Sequence, residues 1–212
     1  FKLFELLINK LQIPQRWKQR LIKFFWNEKY FSELLKRLES NLDIDPVAVA
    51  GDKKMYSKMI KLNQKKIING RSYKEIIKRF ESKINDPRQS ETGKKSAKII
   101  KEFLKIKCSL NNAPNVLNKF FKKYDLNIFV NKDFFPIKNL KIKDTKFEFS
   151  TSIGRGREVE FYNSLIFSLD VKKKNKFVNL ISGGRFDELT SKYLGLKKVP
   201  AVGAAVNLSN YE

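Results

Sequence analysis

Apolar residues recur with helical spacing over the first two thirds of the chain and with strand spacing over the last third. Leu3, Phe4, Leu7, Ile8 and Leu11 share one helical face. Pro14 predicts the start of a second helix carrying Trp17, Leu21, Phe24 and Phe25, and Phe31, Leu34, Leu35 and Leu38 predict a third. Residues 44 to 51 read as a connector containing Pro46, with a weaker helical pattern after it at Met55, Met59, Ile60 and Leu62. Ser72 and Glu75 have the spacing of a capping box ahead of Ile76, Ile77, Phe80 and Ile84, which predicts a helix start. The polar stretch 85 to 93 reads as a loop. Helices are expected again at Ala97, Ile100, Phe103 and Leu104, and at Val116, Leu117, Phe120, Phe121 and Tyr124.

Near Lys146 the period drops to two. Phe147, Phe149, Thr151 and Ile153 alternate with polar neighbours, predicting a half-buried strand. One long strand is expected next. Val159, Phe161, Leu165, Phe167, Leu169 and Val171 lie on the face to be buried under helices, and Glu160, Tyr162, Ser164, Ser168 and Asp170 lie on the other. A lysine-rich turn returns the chain into 176 to 181, forming an antiparallel hairpin. A short helix with Leu189, Tyr193 and Leu194 ends at Gly195, and 199 to 208 alternates again.

The predicted class is α+β. We divide the chain into a mainly helical region, 1 to 130, and an antiparallel sheet region, 131 to 212. The polar sheet face is equally compatible with a ligand surface and with simple solvation. Gly183 and Gly184 at the end of "VNLISGGRFDEL" likewise leave two readings open, close approach of a ligand or of another strand.

Composition narrows the function classes. The formal charge is +23, a basic excess that nucleic-acid binders share, yet nine of the 45 basic residues are arginine and lysine supplies the rest. Lysine-rich solvated faces account for such a balance. The chain has no histidine, which removes Ser-His-Asp triads, Cys-His dyads and the HExxH zinc motif. The single cysteine, Cys108, reads as a helix-face filler. No apolar run has membrane-spanning length and no leader pattern opens the sequence, so a cytoplasmic protein is expected. Phe1 stands inside an apolar periodic pattern, as expected of a piece that lacks an amino-terminal part.

Three stretches in order carry a resemblance: "GREVEFYNSLIFSLD", "ISGGRFDELTSKYLG" and "VPAVGAAVNL". They resemble the carboxy-terminal half of a class II aminoacyl-tRNA synthetase core of the histidyl type. Arg157, Val159, Glu160, Phe161 and Tyr162 stand in register with its RGLDYY segment, and Gly183, Gly184 and Arg185 with its GGRYDGL. The resemblance implies part of a class II synthetase-like antiparallel sheet with flanking helices. It also implies a histidine-binding set of Arg157, Tyr162, Gly183, Gly184 and Arg185.

The departures are informative. Ser209, Asn210 and Tyr211 stand where a synthetase carries Glu-Arg-Leu, so the arginine that would stabilise charge on ATP phosphates is replaced by Asn210. Ala205 and Asn207 replace two glycines of the third motif. A related family shares these losses, the regulatory subunits of ATP phosphoribosyltransferase. "LFELLINKLQIPQRWKQRLIKFF" and, more loosely, "GRSYKEIIKRF" resemble its helices, and 41 to 69 has no counterpart. This resemblance implies a noncatalytic subunit that activates a short-form catalytic subunit, self-associates and takes histidine as feedback effector. No cofactor or metal is implied, and neither membrane association nor tRNA binding is expected. The alternatives are a divergent histidyl-tRNA synthetase core and a basic nucleic-acid-binding module.

Overall fold

The computed structural model describes residues 1–40, 70, 72, 74–78, 90–131, 134–135, 142–155, 161–162, 165–195 and 199–210. Three helices open it: α1 (Lys2–Lys10), α2 (Gln15–Lys23) and α3 (Glu28–Glu39). Leu3, Phe4, Leu7 and Ile8 form the buried stripe of α1, with Glu5 in its first turn and Lys10 in its last, as the helix dipole favours. Pro14 is the N-cap of α2, where its missing N–H costs nothing. The Asn27 side chain caps α3 by accepting from the Tyr30 amide at 3.0 Å, a contact worth about 1 kcal/mol.

The capping box forms as predicted: the Ser72 amide donates to the Glu75 carboxylate at 2.9 Å, and the Glu75 amide to the Ser72 hydroxyl at 3.4 Å. Residues 74–78 are helical. The connector at 44 to 51 and the helical pattern at 55 to 62 lie outside the described residues.

Helix α4 (Ser90–Leu104) begins inside the stretch expected to be a loop. Gly93, Ser96 and Ala97 are buried, so these small residues belong to the packed side of the helix rather than to a solvated connection. Helix α5 (Ala113–Lys123) follows a 3₁₀ turn at Leu110–Asn112. The core lies among these five helices, where Phe4 meets Phe25 at 4.3 Å between ring centroids and Phe31 at 5.8 Å. Trp17, Leu21, Phe103 and Phe121 are buried with them. Asn118 of α5 holds the extended chain beside it, donating to the Val130 carbonyl and accepting from the Val130 amide, both at 2.8 Å.

Between α4 and α5 lies β1 (Lys107–Ser109), antiparallel to β2 (Glu148–Ser150) with Cys108 opposite Phe149. Cys108 is thus a half-buried strand residue, not a helix-face filler, and burial pushes its thiol pKa up. The strand expected from 147 to 153 closes after Ser150. The Thr151 amide then bonds the Ile106 carbonyl at 3.2 Å, and 151–155 turns.

The second sheet has the order β3-β4-β5: β3 (Ile166–Lys173), β4 (Lys176–Arg185) and β5 (Val202–Val206), all antiparallel. The lysine-rich hairpin turn is as predicted, with Lys174 and Asn175 at φ 45° and 64°, the left-handed pair a two-residue connection needs. Leu169 faces Ile181 and Asp170 faces Asn179, so Leu180 is an extra residue in a bulge. Helix α6 (Asp187–Leu194) ends at Gly195, whose φ of 62° suits a glycine cap.

Two sequence expectations change here. Of the long strand expected from Val159, β3 covers the part from Ile166, with Phe161 and Tyr162 lying outside it, while Val159 and Glu160 are outside the described residues. The Leu169 face is also not buried under helices: Leu169, Val202 and Val206 are 38%, 69% and 55% exposed. The sheet residue that packs against the helical core is Ile166, on the opposite face. Among the described residues no helix is long and apolar enough to cross a membrane.

Candidate functional site

The end of β4 is the most constrained backbone in the sheet. Successive strand residues point to opposite faces, so Gly183 and Gly184 face different neighbours. A Cβ on Gly183 would collide with the Gly203 carbonyl, the Phe167 ring and, at 2.9 Å, the Ala204 Cα. A Cβ on Gly184 would stand 2.6 Å from the Leu165 carbonyl and 2.7 Å from Cδ1 of Tyr162. Gly203, paired with Gly184, lies under the Phe186 ring at 3.0 Å by the same measure. Close approach is thus made by β5 and by the chain's own aromatic rings.

Those rings form a cluster. Phe161 and Tyr162 are 4.3 Å apart between centroids, and Phe186 lies 6.1 Å from Phe161 and 6.2 Å from Tyr162. Tyr162 is not a strand residue, as β3 starts four positions later; it reaches the Gly184 face from the segment ahead of the strand.

Arg185 is already engaged. Its Nε donates to both carboxylate oxygens of Asp187, at 2.9 and 2.8 Å, and this bonding pushes the guanidinium pKa up. Asp187 Oδ1 also accepts from the Ala201 amide at 3.0 Å, tying the start of α6 to the chain entering β5. Arg185 therefore builds the turn beside the glycines. Arg157 lies outside the described residues.

Polar groups continue along the Gly184 face. Ser182 is two residues back on β4 and pairs with Ser168 on β3. The Ser182 hydroxyl donates to Asn179 Oδ1 at 2.8 Å, Asn179 Nδ2 donates to Asp170 Oδ1 at 2.9 Å, and the Ser168 hydroxyl donates to the same oxygen at 3.2 Å. Ser168 and Asp170 share this face as the alternation predicted, although Tyr162 joins it by another route. Sequence reasoning did not select Phe186, Asp187, Asn179 or Ser182. Asp187 had a local signal, an opposite charge two positions from Arg185; Asn179 had none, since the bulge that brings it opposite Asp170 leaves no pattern.

Chemically, this strand end combines aromatic rings packed over its glycines with a neighbouring row of mutually bonded hydroxyl, amide and carboxylate groups. Such a set suits a small polar ligand with a flat ring. Among the described residues no three His, Cys, Asp or Glu side chains are grouped to hold a metal.

The fold and site define an α+β protein with an aromatic cluster packed on the glycines at one strand end. Its curated relatives are regulatory subunits of ATP phosphoribosyltransferase. The chain is 27% identical to the ATP phosphoribosyltransferase regulatory subunit of Rhizobium rhizogenes and 25% identical to that of Rhizobium meliloti, each over 99% of this chain and 59% of the relative. It is 22% identical to the subunit of the same name from Brucella anthropi, over 97% of this chain and 58% of the relative. The similarity takes in the helical part as well as the sheet, in agreement with the motif resemblance. The chain spans under three fifths of the length of these relatives. No family model and no solved structure matches it.

Proposed function

We propose that this chain forms part of a noncatalytic regulatory subunit of ATP phosphoribosyltransferase. It would be required for the activity of a short-form catalytic subunit and for feedback inhibition by histidine at the first step of histidine biosynthesis. The observation that carries this reading is similarity over 97–99% of the chain to proteins of that name. On this reading the sheet is part of a class II synthetase-like core that has kept a ligand surface without aminoacylation, and the protein works in the cytoplasm, self-associated and bound to the transferase.

Histidine would sit on the Gly184 face, its imidazole against Tyr162 and its carboxylate region toward Arg157, with Gly183, Gly184 and Arg185 shaping the strand end. The support is the contact of Tyr162 with Gly184, which joins two members of the expected set. Inhibition would then require histidine to favour one state of the complex over another, so binding at this surface must be coupled in free energy to the transferase interface.

Calorimetric titration of histidine into the protein and into Tyr162→Ala tests the site. Weaker binding by a variant that retains the fold is expected. Equal affinity would remove Tyr162 from the site, and no binding by the unaltered protein would remove the effector role.

A further inference from the structure

Strand β4 reaches its glycines one residue out of step with the turn that starts it. The connection at Lys174 and Asn175 makes Lys173 face Lys176 and Asp170 face Asn179, and that register carried on unbroken would set Leu169 against Leu180, Phe167 against Ser182 and Ile166 against Gly183. The observed partners are instead Ile181, Gly183 and Gly184. The difference matters sterically. Where Gly183 stands, a Cβ would collide with the Gly203 carbonyl and the Phe167 ring, so Ser182 does not fit there. One residue of β4 must therefore leave the ladder between the turn and the glycines, and it is Leu180.

The side chains around Leu180 choose the place. Asn179 precedes it, and Nδ2 of Asn179 donates over the bulge to the Ile181 carbonyl at 3.1 Å and across the hairpin to Asp170 Oδ1 at 2.9 Å. Its Oδ1 accepts from the Ser182 hydroxyl at 2.8 Å, so one amide grips the chain on either side of the extra residue. The Ser168 hydroxyl braces the same Asp170 oxygen from β3 at 3.2 Å. On the β5 side the Leu180 carbonyl accepts from the Asn207 amide at 2.8 Å, just beyond the pair of Ile181 with Val206. Asparagine amides bonded to nearby backbone offer the chain an alternative to the regular ladder, and here that alternative is the bulge.

We propose that Asn179 is a positioning residue: it fixes the bulge at Leu180, away from the strand end, and so keeps Gly184 on the face that carries Tyr162. Without its amide the extra residue is absorbed nearer the glycines, at Ile181 or Ser182, and Leu169 then faces Leu180. The consequence for histidine rests on the proposed function; the placement of the bulge does not.

Cysteine pairs read the position of the bulge, because residues facing each other across two strands lie within disulfide reach. With Cys108→Ser removing the chain's own thiol, Leu169→Cys with Ile181→Cys should cross-link readily on mild oxidation, and Leu169→Cys with Leu180→Cys poorly. Adding Asn179→Ala should raise the second cross-link relative to the first roughly tenfold, the scale of one or two lost hydrogen bonds. Deleting Leu180 as well removes the residue that has to be absorbed, so the cross-link between positions 169 and 181 should return. A residue that merely adds stability would not be rescued by a deletion. An unchanged ratio in Asn179→Ala, or no recovery on deleting Leu180, would overturn the proposal. Should Asn179→Ala unfold the chain, the same deletion decides: a regained fold supports the clamp and continued unfolding overturns it. A histidine titration separates the two readings. Weaker binding in Asn179→Ala that the deletion restores supports both, whereas a moved bulge in a protein that never binds histidine leaves the clamp standing and removes the effector.

Discussion

The Tyr162 ring occupies the space into which a side chain at Gly184 would grow, 2.7 Å from the position of a Cβ there. The Leu165 carbonyl stands 2.6 Å from the same point. The glycine is thus required by one neighbour that can swing aside and one that cannot. Gly184→Ala is expected to cost about 1–3 kcal/mol, the usual range for overpacking. Part of that cost should disappear when Tyr162 is alanine, since the ring is then absent. Urea denaturation of the four proteins in this double-mutant cycle measures it, and an identical cost in both backgrounds would show that the ring does not enforce the glycine.

Asn118 gives a second test, in the helical region. Both hydrogen-bonding groups of its amide serve the backbone of Val130, a residue only 1% exposed. Asn118→Ala leaves a buried N–H and C=O without partners and should cost about 1–3 kcal/mol. Asn118→Asp keeps the acceptor for the Val130 amide but sets a carboxylate oxygen against the Val130 carbonyl, so it should fail to restore stability at neutral pH. Denaturant midpoints at equal slope provide the comparison.

The Glu102–Lys123 pair, 2.7 Å long, joins α4 to α5 at the surface. The hydrogen bond from Lys123 holds the Glu102 carboxyl below its ordinary pKa of 4.5, and the same bond holds Lys123 above its ordinary 10.5. The carboxyl contribution is present above pH 4.5 and is lost as pH falls through the depressed value; the ammonium contribution is present below pH 10.5 and is lost as pH rises through the raised value. Melting curves of the protein and of Lys123→Met should therefore differ most between those limits and converge in acid. Both groups are solvent-exposed, so the difference should shrink in high salt.

The helical part was largely legible because its signals are local. Phe4 and Leu7, or Leu34, Leu35 and Leu38, lie on one face by spacing alone, and the Ser72–Glu75 box and the Gly195 cap are short-range chemistry. The errors came where a partner decides the structure. Phe161 and Tyr162 alternate as strand residues would, but β3 begins only at Ile166. Ser90 to Gly93 looked like loop because polar and small residues fill it, whereas these residues open α4 and Gly93 is buried. The site was half legible. The glycines and Tyr162 were visible as motif, yet the contact between them joins residues 22 apart in sequence, and Arg155 reaches Phe25 across 130 residues of sequence. No local pattern records such a contact.

The most direct test of the regulatory reading is the activity of a short-form ATP phosphoribosyltransferase catalytic subunit, assayed with increasing amounts of this protein and then titrated with histidine. The account predicts activation that saturates with the protein and is reversed by histidine, with the reversal weakened in Tyr162→Ala. A folded cognate catalytic subunit whose activity is indifferent to the protein, with and without histidine, would contradict it.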